Sequence, residues 1–115
     1  SSISMYAFYQ MPVPRLTEAD PKLKAISSRA ARLVCTSESF DVLARQCGID
    51  SHKDGATSAA ERAQLRAELD GLVAHLYGLD EDEFAHILKT FPLVPDAAKV
   101  DAHNAFRRAA KGLLA

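Results

Sequence analysis

Between residues 58 and 78, large apolar side chains recur three and four positions apart. That spacing places them on one face of an α-helix, which completes a turn about every 3.6 residues. Ser58 followed by Glu61 is typical of a helix start, and Gly78 is typical of a helix stop. The apolar face consists of Leu65, Leu69, Leu72, Val73 and Leu76. The segment therefore predicts a long amphipathic helix that buries one face against other parts of the chain.

The same spacing recurs between start and stop signals in four further segments. Asp and Pro at residues 20–21 begin a helix that runs to about residue 35, and a short helix is expected over residues 38–47. Residues 80–91 follow the long helix after a very short link, so these two helices form a hairpin. Asp96 is expected to cap the last helix. The predicted fold class is all-α, with about five helices in an irregular bundle and the helical hairpin at its centre.

The apolar faces of these segments predict the core. In the short second helix, the expected inward residues are Phe40, Leu43 and Ala44. In the first helix they are Leu23, Ile26, Ala30, Leu33 and Val34, in the fourth Phe84, Ile87, Leu88 and Phe91, and in the last Val100, Phe106, Ala110, Leu113 and Leu114.

The first fourteen residues carry no charge and include three aromatic residues. Pro12 and Pro14 force extended backbone, because each proline also pushes its predecessor out of the helical region. We therefore divide the chain into an extended arm (residues 1–16), interpreted as the continuation of an upstream region, and a helical domain (residues 17–115). An arm this apolar is expected to lie on its own helices or on a partner, including a second copy of the chain in a homodimer.

Composition excludes several classes of protein. A chain of 115 residues with 48% hydrophobic residues can bury a core without disulfides. Its net charge of −1 argues against a polybasic binder of membranes or nucleic acid. Two cysteines form neither a disulfide framework nor a zinc site by themselves, which favours a cytoplasmic protein. No apolar run approaches the roughly 18 residues of a membrane helix, so no membrane partner is expected.

No group of residues has the spacing of a catalytic or metal site. The acidic run Asp80–Glu83 lacks the alternating ligands and the glycine of a calcium loop, and the helix dipole favours acids in a first turn. His75 and His86 could meet across the hairpin, but zinc needs further ligands. The glycines are scattered singly, which argues against a phosphate loop. We therefore assign no catalytic, cofactor-binding or metal-binding residue.

Basic residues provide the candidate binding surface. Residues 15–34 contain five basic and two acidic residues, and residues 91–115 contain four and two. If these stretches converge in the fold, they can contact DNA phosphates, which orient a protein on the duplex without reading its sequence. The candidate DNA-backbone residues are Arg15, Lys22, Arg29, Arg32, Arg107 and Arg108.

Two stretches carry a resemblance to a known family. They are residues 9–16, with Pro12-Val13-Pro14, and residues 65–92, with Leu76-Tyr77-Gly78-Leu79. Together they resemble the C-terminal end of large bacterial adenine-specific DNA methyltransferases of restriction–modification systems, of the single-chain type IIG-like kind. In that family the proline segment leaves the target-recognition region, and the helix pair follows near the end of the chain. Gly71 and His86 stand where the family pattern has alanine and tyrosine.

The resemblance implies a non-catalytic C-terminal module of a larger enzyme. The family's Asn-Pro-Pro-Tyr methyl-transfer loop and its Gly-rich S-adenosylmethionine loop are absent from this sequence, so no catalytic or cofactor residue is carried over. The module would support target recognition, with the rest of the methyltransferase as its partner and double-stranded DNA as a candidate second partner. S-adenosylmethionine would belong to the parent enzyme.

Two alternatives of other classes remain open. One is a free-standing helical interaction or dimerisation protein whose apolar arm docks on a partner. The other is a small helical DNA-binding regulator, which predicts salt-sensitive duplex binding. That alternative ranks lower, because the helix in the recognition position opens with four acidic residues, the wrong sign for a DNA groove.

Overall fold

The structure is a computed structural model that describes residues 21–114. This part of the chain is helical, with no β-strand, which confirms the predicted fold class. The α-helices are α1 (Pro21–Val34), α2 (Asp41–Gln46), α3 (Ala59–Leu76), α4 (Glu81–Lys89) and α5 (Asp96–Ala110), and short 3-10 helices lie at Glu38–Phe40 and His52–Asp54. The arm expected over residues 1–16 lies outside the described residues.

Polar side chains begin α3 and α4 where the sequence predicts helix starts. At α4, Asp80 Oδ1 accepts from the Glu83 N–H at 2.7 Å and Glu83 Oε1 accepts from the Asp80 N–H at 3.0 Å, which completes a capping box. At α3, Ser58 Oγ accepts from the Glu61 N–H at 3.1 Å. The Glu61 carboxylate pairs with Arg32 of α1 at 2.6 Å. The start of α3 is therefore tied to α1 as well as capped.

The start of α5 differs from the prediction. Pro95 is the N-cap residue and makes no side-chain cap, while Asp96 is the first helical residue. The assignment of Asp96 as the cap is therefore wrong. Its carboxylate still lies in the first turn, where the helix dipole favours an acid.

The central helix α3 packs against both α1 and α5. Arg32 pairs with Glu61 and Arg29 pairs with Glu68, so α1 runs antiparallel to α3. On the other side of α3, a buried cluster joins α3, α4 and α5 through Ala74, Phe84, Leu88, Ala102 and Phe106. The Phe84 and Phe106 rings lie 5.3 Å apart between centroids. Both helices of the predicted hairpin therefore contribute to the main core, but α4 packs chiefly against α5, and the central pair of the bundle is α3 with α5.

Gly71 permits the close contact between α3 and α5. A Cβ atom built on Gly71 would lie 2.6 Å from the Phe106 backbone nitrogen and 2.7 Å from the Ala105 carbonyl carbon. Those atoms belong to helical backbone and cannot rotate away. The glycine, which departs from the family pattern described above, is what the packing of these two helices requires.

A smaller cluster holds the end of α1 against α2. Its buried residues are Ala31, Cys35 and Ala44, and Cys47 and Ile49 pack against them. Of the three residues expected to point inward from the second helix, only Ala44 is buried, whereas Phe40 and Leu43 are exposed. A helix of six residues has room for one small contact with α1, so its larger side chains remain outside.

The buried face of α5 also differs from the prediction, since Phe106 alone among the five expected residues is buried. Ala102, Ala105 and Phe106 share one face at helical spacing and are buried. Val100 precedes Ala102 by two positions, which places it about 200° around the helix, and it is exposed. Ala110, the last residue of α5, and Leu113, beyond its end, are exposed too. In α1 the expected face is not the buried one, because the buried residues are Ala25 and Ala31. Of the expected residues, Val34 is exposed, and those that are half-buried are Leu23, Ile26, Ala30 and Leu33.

Candidate functional site

The predicted basic residues of α1 and α5 meet at one carboxylate of α3. Arg29 Nε lies 2.9 Å from Glu68 Oε1, and Arg108 Nη1 lies 3.9 Å from Glu68 Oε2. Lys22 is exposed in the first turn of α1. Arg15 lies outside the described residues. The basic stretches therefore converge in part, and the point where they converge is already occupied by an acid.

Arg29 is held inside the protein. Its side chain is 12% exposed and that of Glu68 is 14% exposed. Arg29 Nη1 also donates to the Ala25 carbonyl oxygen at 3.0 Å. A guanidinium with this little exposure and these two partners joins α1 to α3, and a DNA phosphate would have to displace both partners to reach it.

The ion pairs of Arg32 and Arg107 are more accessible. Arg32 Nη2 lies 2.6 Å from Glu61, and Arg107 pairs with Glu81 on α4. His103 Nε2 lies 3.0 Å from the same Glu81 oxygen. Exposed pairs of this kind contribute about 0–1 kcal/mol each. A phosphate could therefore replace the carboxylate at Arg32 or Arg107 at small cost.

Two of these carboxylates, those of Glu68 and Glu81, are stabilised in their charged form. Burial alone would raise the pKa of Glu68, but hydrogen bonds from Gln64 and Arg29 and the charges of Arg29 and Arg108 outweigh it and lower that pKa. Hydrogen bonds from Arg107 and His103 lower the pKa of Glu81. Near neutral pH these acids therefore balance the arginines that the sequence assigns to DNA.

Arg62 is a structural residue that the sequence does not mark. Its Nη1 atom donates to the Leu33 carbonyl oxygen at 2.9 Å and to the Ala56 carbonyl oxygen at 2.8 Å. The first carbonyl is in the last turn of α1 and the second is in the connection to α3. Nothing in the local pattern around residue 62 signals this contact, because both acceptors are backbone atoms of other segments.

The structure also has an apolar groove between α3 and the start of α5. The side chain of Leu93 is 96% exposed at its edge. Ala63 and Ala67 of α3 line one side and Ala97 and Ala98 of α5 line the other, with Arg66, Asp70, Val94, Pro95 and Asp101 completing the lining. This groove was not predicted from the sequence; the local signal that could have indicated it is Leu93 between Pro92 and Pro95, where the chain cannot continue a helix.

Among residues 21–114, no three His, Cys, Asp or Glu side chains cluster in a way that could hold a metal ion. His75 packs edge-on against the Phe106 ring at 6.0 Å between centroids, and His86 is exposed on α4. The predicted caps Asp80 and Glu83 are engaged with each other's backbone. His75, Asp80 and Glu83 therefore stabilise the helices in which they lie.

Comparison with protein-family models, with curated proteins and with solved structures found no match to this chain. In the part of the chain that the structure describes, no helix is both long and apolar enough to cross a bilayer.

Proposed function

We propose that this chain is a non-catalytic helical module at the C-terminal end of a restriction–modification adenine DNA methyltransferase, and that it supports target recognition by packing against neighbouring regions of that enzyme. The observation that carries the proposal is the apolar groove beside Leu93. Leu93 follows directly on residues 65–92, the stretch with the family resemblance, and the α3 side of the groove lies mostly within that stretch. An accessible leucine at the edge of a groove lined by alanines is suited to bury apolar surface of another protein segment.

Protein packing is favoured over DNA binding as the main role because of the ion pairs. Arg29 is enclosed by Glu68 and Ala25, and Arg108 lies close to Glu68. DNA-backbone contact remains part of the proposal for the exposed Arg107 and Lys22 and for the half-buried Arg32. Binding through so few cations would be weak, and its dependence on salt would be shallow, because the salt slope grows with the number of phosphate contacts.

The first test is the reading frame upstream of Ser1 together with S-adenosylmethionine binding. An Asn-Pro-Pro-Tyr motif upstream supports the proposal, and a frame that encodes no methyltransferase upstream contradicts it. The isolated chain should show no heat of S-adenosylmethionine binding in a calorimeter. A measurable heat there would mean that this chain holds the cofactor itself.

The second test uses Leu93→Asp in the full-length protein. We expect this change to reduce adenine methylation of duplex DNA at least tenfold, because it places a charge where apolar surface should be buried. Val42→Asp is the matched control, since Val42 is also an exposed apolar residue but lies on α2, away from the groove. Methylation by the control should stay within twofold of wild type.

Folding of both variants is checked by circular dichroism and thermal unfolding of the 115-residue chain. Equal methylation by Leu93→Asp and Val42→Asp, with both folded, would exclude the groove as a docking surface. Sedimentation at several concentrations distinguishes this proposal from the dimerisation alternative. If the isolated chain forms a dimer and Leu93→Asp abolishes that dimer, the groove binds a second copy of the chain.

A further inference from the structure

The two cysteines of the chain come together in the smaller core cluster. Cys35 follows α1 and is buried with Ala31 and Ala44. Cys47 directly follows α2 and packs against this cluster together with Ile49. Both thiols are free. Cys35 and Cys47 therefore reach one small cluster from separate segments of the chain, which brings them into the same part of the core.

The two thiols differ in access. Cys35 has no exposed surface, because the segment before α3 covers it: the Ala56 N–H donates to the Arg32 carbonyl oxygen at 2.7 Å. Gly55 lies so near that a Cβ on it would be 2.3 Å from the Cys35 carbonyl oxygen. Cys47 is half-buried and lines an open concavity with Leu23, Lys24, Ser27, Gln46 and Gly48. Small solutes can therefore reach Cys47 before they reach Cys35.

We propose that Cys47 and Cys35 form a redox-active thiol pair, in which hydrogen peroxide oxidises the accessible Cys47 and the buried Cys35 closes a disulfide with it. This inference is independent of the proposed function above. It assigns to the corner between α1 and α2 a modification site whose oxidant is a peroxide small enough to enter the concavity.

The reaction balances in two steps. The Cys47 sulfur attacks one peroxide oxygen, an S–O bond forms as the O–O bond breaks, and the leaving hydroxide takes up a proton as water. The product is a sulfenic acid. The Cys35 sulfur then attacks the Cys47 sulfur, the S–O bond breaks, and the hydroxyl leaves as water with the Cys35 proton. Two thiols and one peroxide give one disulfide and two waters.

The surroundings of Cys35 support this division of roles. Burial raises the pKa of the Cys35 thiol, and the charges of Cys47 and Asp41 raise it further. The thiolate is the form that reacts with peroxide, so Cys35 is protected from direct oxidation until a sulfenic acid forms beside it. On the same corner, Asp41 accepts hydrogen bonds from the His52 backbone N–H and contacts His52 Nδ1, each at 2.8 Å, which fixes the covering segment to α2.

The test is oxidation of the native, reduced 115-residue chain with equimolar hydrogen peroxide, followed by alkylation and intact mass measurement. We expect a monomer that has lost two hydrogens and takes up no alkylating reagent. Its Tm should rise by at least about 5 °C, since the crosslink constrains the unfolded chain, and dithiothreitol should reverse the rise. Two alkylatable thiols after treatment, or only disulfide-linked dimers on a non-reducing gel, would overturn the proposal.

Two variants separate the roles of the thiols. Cys35→Ser should stop at a sulfenic acid on Cys47 that dimedone captures. Cys47→Ser should leave Cys35 unreacted in the native chain and reactive in guanidinium chloride. Oxidation of Cys47→Ser at the wild-type rate under native conditions would contradict the assignment. If Cys35→Ser does not fold, as judged by circular dichroism, Cys35→Ala takes its place, because alanine fills part of the same buried volume.

Discussion

Gly71 is the residue at which local and tertiary preferences oppose each other most clearly. In the interior of an exposed helix, replacing glycine by alanine stabilises by roughly 1 kcal/mol. In this fold the added Cβ would lie 2.6 Å from the Phe106 nitrogen. Local propensity and packing therefore predict opposite signs for the same substitution.

We expect Gly71→Ala to lower the free energy of unfolding by about 1–3 kcal/mol, because α3 and α5 must move apart to admit the methyl group. Urea unfolding followed by circular dichroism measures the change. Gly48→Ala is the control: Gly48 has a φ of +94° and no atom near its Cβ position, so its cost is limited to backbone strain, about 1 kcal/mol. A Gly71→Ala protein more stable than wild type would show that the helices are not in close contact there.

At the scale of the elements, the two aspartates expected to begin α4 and α5 provide a paired comparison. Asp80 caps α4 through the Glu83 N–H, while Asp96 is already inside α5 and makes no cap. Asp80→Ala should cost about 1 kcal/mol of stability. Asp96→Ala should cost only the interaction with the helix dipole, a few tenths of a kcal/mol.

Thermal and urea unfolding of the two single variants measure this difference. Asp80→Asn serves as the control for charge, because asparagine caps nearly as well and should recover most of the loss. Equal losses for Asp80→Ala and Asp96→Ala would contradict the distinction between a capping and a non-capping aspartate.

Helix positions were predictable because their signals are local. Spacing, caps, prolines and glycines predicted all five helices. The α-helix expected over residues 38–47 begins only at Asp41, after a 3-10 helix, and the last helix begins at Asp96 itself. The buried faces were less predictable. Phe40, Leu43 and Val100 are apolar and lie at helical spacing, yet they are exposed because α2 is short and α5 turns a face of alanines toward α3.

At the scale of the whole molecule, ion pairs between helices make stability depend on pH. Hydrogen bonds from His52 lower the pKa of Asp41, and the pKa values of Glu68 and Glu81 are also lowered, by the arginine and histidine contacts described above. A carboxyl whose pKa is lower in the folded chain binds protons more readily when unfolded. Its contribution is therefore complete above the ordinary carboxyl pKa of about 4 and is lost as pH falls through the lower folded value.

We expect the free energy of unfolding to be nearly constant from pH 7 to pH 5 and to fall below about pH 4. Urea titrations at successive pH values measure the profile. Glu68→Gln removes the most buried of these carboxylates, so its profile should be lower at pH 7 and shallower in acid. Superimposable acid slopes for Glu68→Gln and wild type would show that Glu68 does not contribute through its charge.

The candidate DNA surface was only partly predictable, because the arginines form ion pairs with residues far away in the sequence. The sequence identifies which residues are basic, but it does not identify the acids that neutralise them. Arg29 and Glu68 are 39 positions apart and meet only because α1 packs antiparallel to α3. We therefore base the proposed docking surface on the groove beside Leu93 and not on these arginines.

By itself the sequence determined that the described chain is helical and approximately where its helices lie, because those signals act within a few neighbouring residues. Only the tertiary structure decided which helix faces are buried and which carboxylates pair with the arginines. It also showed that Gly71 is needed for the close contact of α3 with α5, and that Cys35 and Cys47 lie in one cluster. Each of these depends on the distance between segments far apart in the chain, and that distance is set by how the helices pack.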